Sequence, residues 1–235
     1  MKKEAAALSA TCCALAYEQF DQNGVFQVPE GFTCVKSFQA NSIGQKEWFG
    51  FILESENKII VSFRGTQSDP NWVSDSLVNQ RAFSYGTNSG LVHHGFLSIY
   101  ETCRDTIMDT LLTLPNKSLL VTGHSLGGAL ATLHILDARL NTSLSDVSLY
   151  TFGAPKVGDL AFRNFYQLHV AHSFRFVNLF DVVPLLPPRK VKLEKIAQKE
   201  WEYTHVPNSL TFASNLGSVV KNHNISTYLD AVTAW

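Results

Sequence analysis

A chain of 235 residues, 45% hydrophobic and 17% charged with 16 Phe, can bury one sizeable core, which excludes a disordered chain and makes a second domain unnecessary. With 19 Lys and Arg against 20 Asp and Glu and no long basic run, a general attraction to nucleic acid or acidic membranes is excluded as well. No stretch approaches the roughly 18–20 apolar residues of a membrane span, so the expectation is a soluble or at most peripheral protein.

Met1-Lys2-Lys3 before an Ala-rich stretch imitates a short secretion signal, but Glu4, Ser9 and Thr11 interrupt it. Helix propensity favours a first helix from about Lys2 to Phe20 instead. The compartment stays undecided, a cytoplasmic setting being favoured and secretion the alternative. Phe32–Ala40 and Glu47–Leu53 alternate like antiparallel strands, and Lys58–Phe63 (KIIVSF) reads as a strand buried on both faces. From Arg64 to about Leu91, Ser, Asn, Gly and Pro predict loop with one short helix.

Phe96–Leu114 has the three- and four-residue apolar spacing of an amphipathic helix. Beyond it, strands at Ser118–Thr122, Val147–Phe152 and Ser173–Phe180 alternate with helices at Leu126–Leu140 and about Asp159–His169. That alternation predicts right-handed crossovers and hence a mixed, mostly parallel central sheet flanked by helices, in a single domain over 1–235. Trp201–Val206 reads as a late strand and Ile225–Val232 as the final helix. Among the four cysteines, which lack paired metal spacing, buried free thiols are favoured over a Cys34–Cys103 bridge.

Gly123-His124-Ser125-Leu126-Gly127-Gly128 lies between the strand SLLVT and a helical stretch. The pattern G-x-S-x-G is weak alone, but a strand end opening into a helix is the context of a nucleophile elbow, which predicts an α/β-hydrolase fold with Ser125 as nucleophile. Gly123 and Gly127 remove side chains that would collide in so tight a turn. The helix N-terminus offers the backbone N–H of Leu126 to a developing oxyanion. A serine needs a histidine base and that histidine a carboxylate, in the chain order Ser, acid, His for this fold. Asp181, directly after a strand, is the favoured acid, with Asp159, a better helix N-cap, as runner-up. Of the eight histidines only His205 and His223 follow Asp181, and His223, in a loop before the last helix, is favoured over His205. The remaining histidines lack metal-site spacing, so no metal and no cofactor are expected. Val182, Val183, Leu185, Leu186, Leu210, Phe212, Val219 and Val220 flank these loops as candidate lining for an acyl chain, with core packing as the alternative.

Seven motif-like segments stand in order along the chain: Phe63-Arg64-Gly65-Thr66, Asn71-Trp72 with Asp75, His94-Gly95-Phe96, the elbow, Thr151 to Gly158, Asn178 to Pro184 and His223 to Tyr228. With them the chain resembles the class 3, fungal-type triacylglycerol lipases. The resemblance implies an ester or lipid substrate and a second oxyanion donor at Thr66. It also implies a lid at about 67–78, for which Asp69-Pro70 suits a helix start and Trp72, Val73 and Leu77 share one side. Such a lid would contact a lipid interface transiently. A feruloyl or short-chain carboxylesterase, and an inactive lipid-binding protein on the same fold, remain alternatives. Fungal members usually carry disulfides and a secretion signal that this sequence does not clearly show, and the charged insertion Arg189–Tyr203 reads as a solvated surface loop. The oligomeric state is open.

Overall fold

The computed structural model describes residues 3–42, 44–66, 79–192 and 200–235. The expected lid, with Trp72, Val73 and Leu77, lies outside the described residues. A seven-stranded sheet forms the centre. Its strands are β1 (Thr33–Ser42), β2 (Gln45–Glu54), β3 (Lys58–Phe63), β6 (Ser118–His124), β7 (Val147–Phe152), β8 (His172–Asn178) and β11 (Ser209–Phe212), in that spatial order. β1 and β2 pair antiparallel and β2 pairs antiparallel with β3, while every pairing from β3 to β11 is parallel.

Helices cover both faces: α1 (Lys3–Asp21) and α6 (Ile225–Thr233) on one, α2 (His94–Thr113), α3 (Leu126–Asn141) and α4 (Leu160–His169) on the other. β3 shows how the sequence divides the core. Ile59, Val61 and Phe63 join the cluster under α2 and α3, whereas Ile60 joins the one under α1, as the two-residue period of a strand requires. The Ala-rich face of α1 lets that helix lie close to the sheet. There the Ser62 hydroxyl donates to the Cys12 carbonyl at 2.9 Å and the Thr122 hydroxyl to the Ser9 carbonyl at 3.3 Å. On the opposite face a buried carboxylate joins α2 to α3. Asp137 accepts from Arg104 Nε at 2.6 Å and from the Tyr100 hydroxyl at 2.7 Å, which satisfies a charge that would otherwise be costly to bury.

The favoured reading of the cysteines as free thiols holds, and three other sequence expectations need correction. Cys34 and Cys103 are free: Cys34 packs toward the α1 cluster and Cys103 lies in the α2–α3 cluster, so the sheet separates them. Burial pushes the Cys12 and Cys103 thiols up to about 12, which removes them as nucleophiles. Trp201–Val206 is not a strand of the main sheet. Only β10 (Glu200–Glu202) is extended, pairing with β9 (Lys190–Lys192), so the described ends of the charged insertion form a ribbon in which Lys190 makes an ion pair with Glu200 at 2.6 Å. The last strand of the main sheet is β11 instead, four residues too short for its alternation to stand out. Before α2, β4 (Gln80–Ala82) and β5 (Leu91–His93) form a second ribbon where loop was expected.

Candidate active site

β6 ends and α3 begins at a single residue, Ser125, whose φ is 57° and ψ is −127°. A non-glycine residue at positive φ is strained, and it persists only where its surroundings dictate it. They do so here through close backbone approach. A Cβ on Gly123 would lie 2.1 Å from the Gly127 carbonyl oxygen, and one on Gly127 would lie 2.2 Å from that of Phe63. Two glycines thus allow strand, turn and helix to meet in the space of one side chain. The Ser125 N–H donates to the Phe152 carbonyl at 2.9 Å, so the turn is also tied to β7.

At the carboxyl edge of the parallel strands the structure brings Ser125, His223 and Asp181 together. His223 Nε2 lies 2.8 Å from Ser125 Oγ, and His223 Nδ1 lies 2.7 Å from Asp181 Oδ2. All three side chains are buried. Asp181 Oδ2 also accepts from the Tyr228 hydroxyl at 2.6 Å, and Oδ1 accepts from the Val183 N–H at 2.9 Å. The carboxylate therefore has three donors, which satisfy the lone pairs that burial removes from water. Gly153, at φ 57°, provides the clearance: a Cβ there would approach Asp181 Oδ2 to 2.9 Å and the Tyr228 hydroxyl to 3.0 Å.

The runners-up have other partners. Asp159 caps α4, its Oδ1 accepting from the Phe162 N–H at 2.7 Å, and also holds the Leu91 N–H at 3.1 Å. His205 donates from Nε2 to the Pro184 carbonyl at 2.7 Å, and burial followed by nearby Arg175 pushes its pKa down to about 3.

Leu126 is the first residue of α3, so its N–H has no carbonyl one turn back to bond within the helix. Thr66, half-buried, follows Gly65, where a Cβ would lie 3.0 Å from Ser125 Cβ and 2.8 Å from the His124 carbonyl oxygen. The segment before Thr66 is anchored by Arg64. Its Nε donates to the Trp48 carbonyl at 3.0 Å, Nη2 pairs with Glu47 at 2.8 Å, and the guanidinium lies 4.0 Å from the Phe20 ring centroid.

Several groups at the site were not anticipated. His124 sits between Tyr17 and the histidine segment, its Nε2–H donating to the His223 carbonyl at 2.7 Å while Nδ1 accepts from the Tyr17 hydroxyl at 2.7 Å. Burial and the neighbouring His223 push its pKa well down, so it is a neutral strut. Its place beside Ser125 was the available signal. Tyr17 had none, being 107 residues away in sequence. Tyr228 lay inside the segment that resembles the family's histidine loop but reads as an ordinary core aromatic of the last helix.

Of the expected apolar lining, Val183 is buried and Leu186 packs against the α2–α3 cluster. Leu210 and Phe212 are corrections: both pack with the α1–α6 cluster, because β11 aligns Leu210 with Phe176 on that face. Val182, Leu185, Val219 and Val220 are exposed, and so are Leu179, Phe180 and Leu216, with 39% to 66% of each side chain accessible. All seven belong to the segments that carry Asp181 and precede His223.

The sequence model of the family described as Lipase (class 3) matches residues 60–191, from the middle of β3 into β9. The chain belongs to the class 3 lipase family. Among its relatives, a lipase of Rhizomucor miehei is 36% identical over 165 residues, covering 67% of this chain and 45% of that protein. The secreted mono- and diacylglycerol lipase A of Penicillium cyclopium is 29% identical over 194 residues, covering 79% of this chain and 60% of that protein. The class 3 chain described here thus spans about half the length of these relatives. Among solved structures, the Rhizomucor miehei triacylglyceride lipase superposes with a TM-score of 0.71 at 25% identity, over 90% of this chain and 80% of that one. Lipase II from Rhizopus niveus gives 0.68 at 26%, over 80% and 75%. These neighbours share the α/β-hydrolase fold, with its mostly parallel sheet between two layers of helices.

Proposed function

We propose that this class 3 lipase-family chain is, as one catalytic domain, a carboxylic ester hydrolase acting on acylglycerol esters. The observation that carries the reading is the unbroken chain from Ser125 Oγ through His223 to Asp181 at a strained elbow. As Ser125 attacks the ester carbonyl, His223 Nε2 takes its proton, and Asp181 stabilises the imidazolium and keeps the ring oriented. The backbone N–H groups of Leu126 and Thr66 bind the tetrahedral oxyanion, each worth about 10²–10³ in turnover for a donor of this kind. His223 then protonates the departing alcohol, and water activated by the same nitrogen releases the acid.

The acylglycerol preference rests on the exposed apolar rim of Leu179, Phe180, Val182, Leu185, Leu216, Val219 and Val220, which surrounds Asp181 and His223 in the chain. So much apolar surface beside one site suits an aggregated lipid better than a dissolved ester. Relatives named lipase and mono- and diacylglycerol lipase support the same substrate class. Among the described residues no helix is long and apolar enough to cross a membrane. The test compares purified protein on tributyrin, through its solubility limit, with methyl ferulate and p-nitrophenyl esters of increasing chain length. Faster turnover on emulsified tributyrin supports the reading. Preference for methyl ferulate would replace it with the esterase alternative, and no turnover by the wild type would leave the lipid-binding one.

A further inference from the structure

The segment that delivers His223 has almost nothing apolar to hold it. From Ala213 to Lys221 every side chain except the half-buried Ser214 is exposed, including Leu216, Val219 and Val220. The helix α5 (Val219–His223) is only five residues long. Such a segment opens at low free energy unless polar contacts fix it, yet general base chemistry needs His223 Nε2 within hydrogen-bond reach of Ser125.

Two buried side-chain amides supply those contacts. Asn178, at the end of β8, is completely buried and uses all four of its hydrogen-bonding positions. Oδ1 accepts from the N–H groups of Ser214 at 2.9 Å and Phe180 at 3.3 Å, while Nδ2 donates to the carbonyls of Ser214 at 2.8 Å and Asn222 at 3.0 Å. Asn222 answers from the other side, its Nδ2 donating to the Phe180 carbonyl at 3.1 Å and its Oδ1 accepting from the Leu216 N–H at 2.7 Å. The pair therefore joins the turn that ends in Asp181 to the loop at 214–216 and to the residue immediately before His223. Other ties to this segment come from His124, on the His223 carbonyl, and from the Thr227 hydroxyl, on the Lys221 carbonyl at 2.7 Å.

We infer that Asn178 and Asn222 are positioning residues, an amide clasp that sets the distance between His223 and Asp181 in place of the apolar packing this loop lacks. The inference rests on the hydrolase reading above. Buried amides, Asn178 paired at all four positions and Asn222 at two, suit the task because each bond is directional, and losing one partner leaves the other unsatisfied.

The experiment uses Asn222→Ala, which removes two bonds at the periphery, alongside Asn178→Ala, which removes four in the core. Thermal unfolding is measured on each. Asn222→Ala is expected to fold, to lose about ten-fold in kcat on p-nitrophenyl butyrate with KM unchanged, and to move the acid limb of the kcat/KM profile to lower pH. That shift follows because a histidine slack against Asp181 holds its proton less tightly. A merely structural role would lower the melting temperature and leave kcat and the acid limb of the folded enzyme where they were. That result, or activity lost only in proportion to the folded fraction in both variants, overturns the inference. Failure of the underlying reading looks different: the wild type itself would not turn over the ester, or Ser125→Ala would match it.

Discussion

The elbow and the histidine segment meet at one hydrogen bond yet are built in opposite ways. Ser125 is held by the backbone of a central strand and a buried helix, with glycines allowing carbonyls to approach where a methyl group would clash. His223 hangs from an exposed loop secured by amide and imidazole hydrogen bonds to distant residues. The nucleophile is thus pre-organised by local covalent geometry and core packing, whereas the base is placed by a handful of long-range polar contacts. The difference teaches where each half should tolerate change: the elbow in almost nothing, the histidine loop in everything except its clasp.

The largest expected effects fall on the chemistry that both halves share. Ser125→Ala should cut ester turnover by about 10⁴-fold or more while leaving the melting temperature unchanged, since only a hydroxyl leaves. Asp181→Asn should approach that loss by favouring the wrong imidazole tautomer, whereas Asp159→Asn, which keeps its capping oxygen, should stay within about two-fold. A steady-state assay on p-nitrophenyl butyrate ranks the three, and equal losses at positions 181 and 159 would contradict the assignment of the acid.

Gly127→Ala breaks the elbow by sterics alone. Its Cβ would lie 2.2 Å from the Phe63 carbonyl oxygen, so either strand β3 or helix α3 must shift, at a cost of about 3 kcal/mol or more. Low soluble yield, or a melting temperature lower by roughly 6–10 °C in calorimetry, is the expected result. A variant as stable as the wild type would show that this turn has slack.

A pH titration of stability probes the buried histidines, among them His124, which ties the elbow to the histidine segment. His93 and His134 are pushed down to about 4 and His124 well below 6.5, in each case first by burial. Their folded pKa values are depressed, so the unfolded chain binds the extra protons. The stability they contribute is therefore intact above about 6.5 and lost as pH falls toward 4, at roughly 1 kcal/mol per group for each pH unit. Denaturant midpoints between pH 7.5 and 5 should fall accordingly. A flat profile over that range would mean that these rings titrate normally.

Tyr228→Phe gives a modest effect and sharpens the comparison most. It removes one of two donors on Asp181 Oδ2 and leaves the Asn178 N–H, now 3.2 Å from that hydroxyl, without its partner. With fewer donors the carboxylate binds the imidazolium more strongly, so the acid limb of kcat/KM should rise by a few tenths of a pH unit. The kcat should fall about three- to ten-fold. Asn222→Ala should move the same limb in the opposite direction, which separates tuning of the acid from positioning of the base.

Local pattern sufficed for what is locally encoded. The compact β-branched run KIIVSF gave a strand buried on both faces, the spacing in Phe96–Leu114 gave α2, and the strand–GHSLG–helix context gave Ser125, because a tight turn imposes its residue types within a few positions. Chain order then narrowed the acid and the base to two residues each. Tertiary structure alone decided the rest. Leu210 reads the same whether it faces substrate or core, and only its register against Phe176 turns it toward α6. Tyr17, Asn178, Asn222 and Tyr228 are ordinary helix, strand and core residues in sequence, and their meaning lies in partners up to 107 residues away. A hydrogen bond across such a separation leaves no periodic trace, because it depends on where the sheet brings the chain back and not on which residues stand beside it.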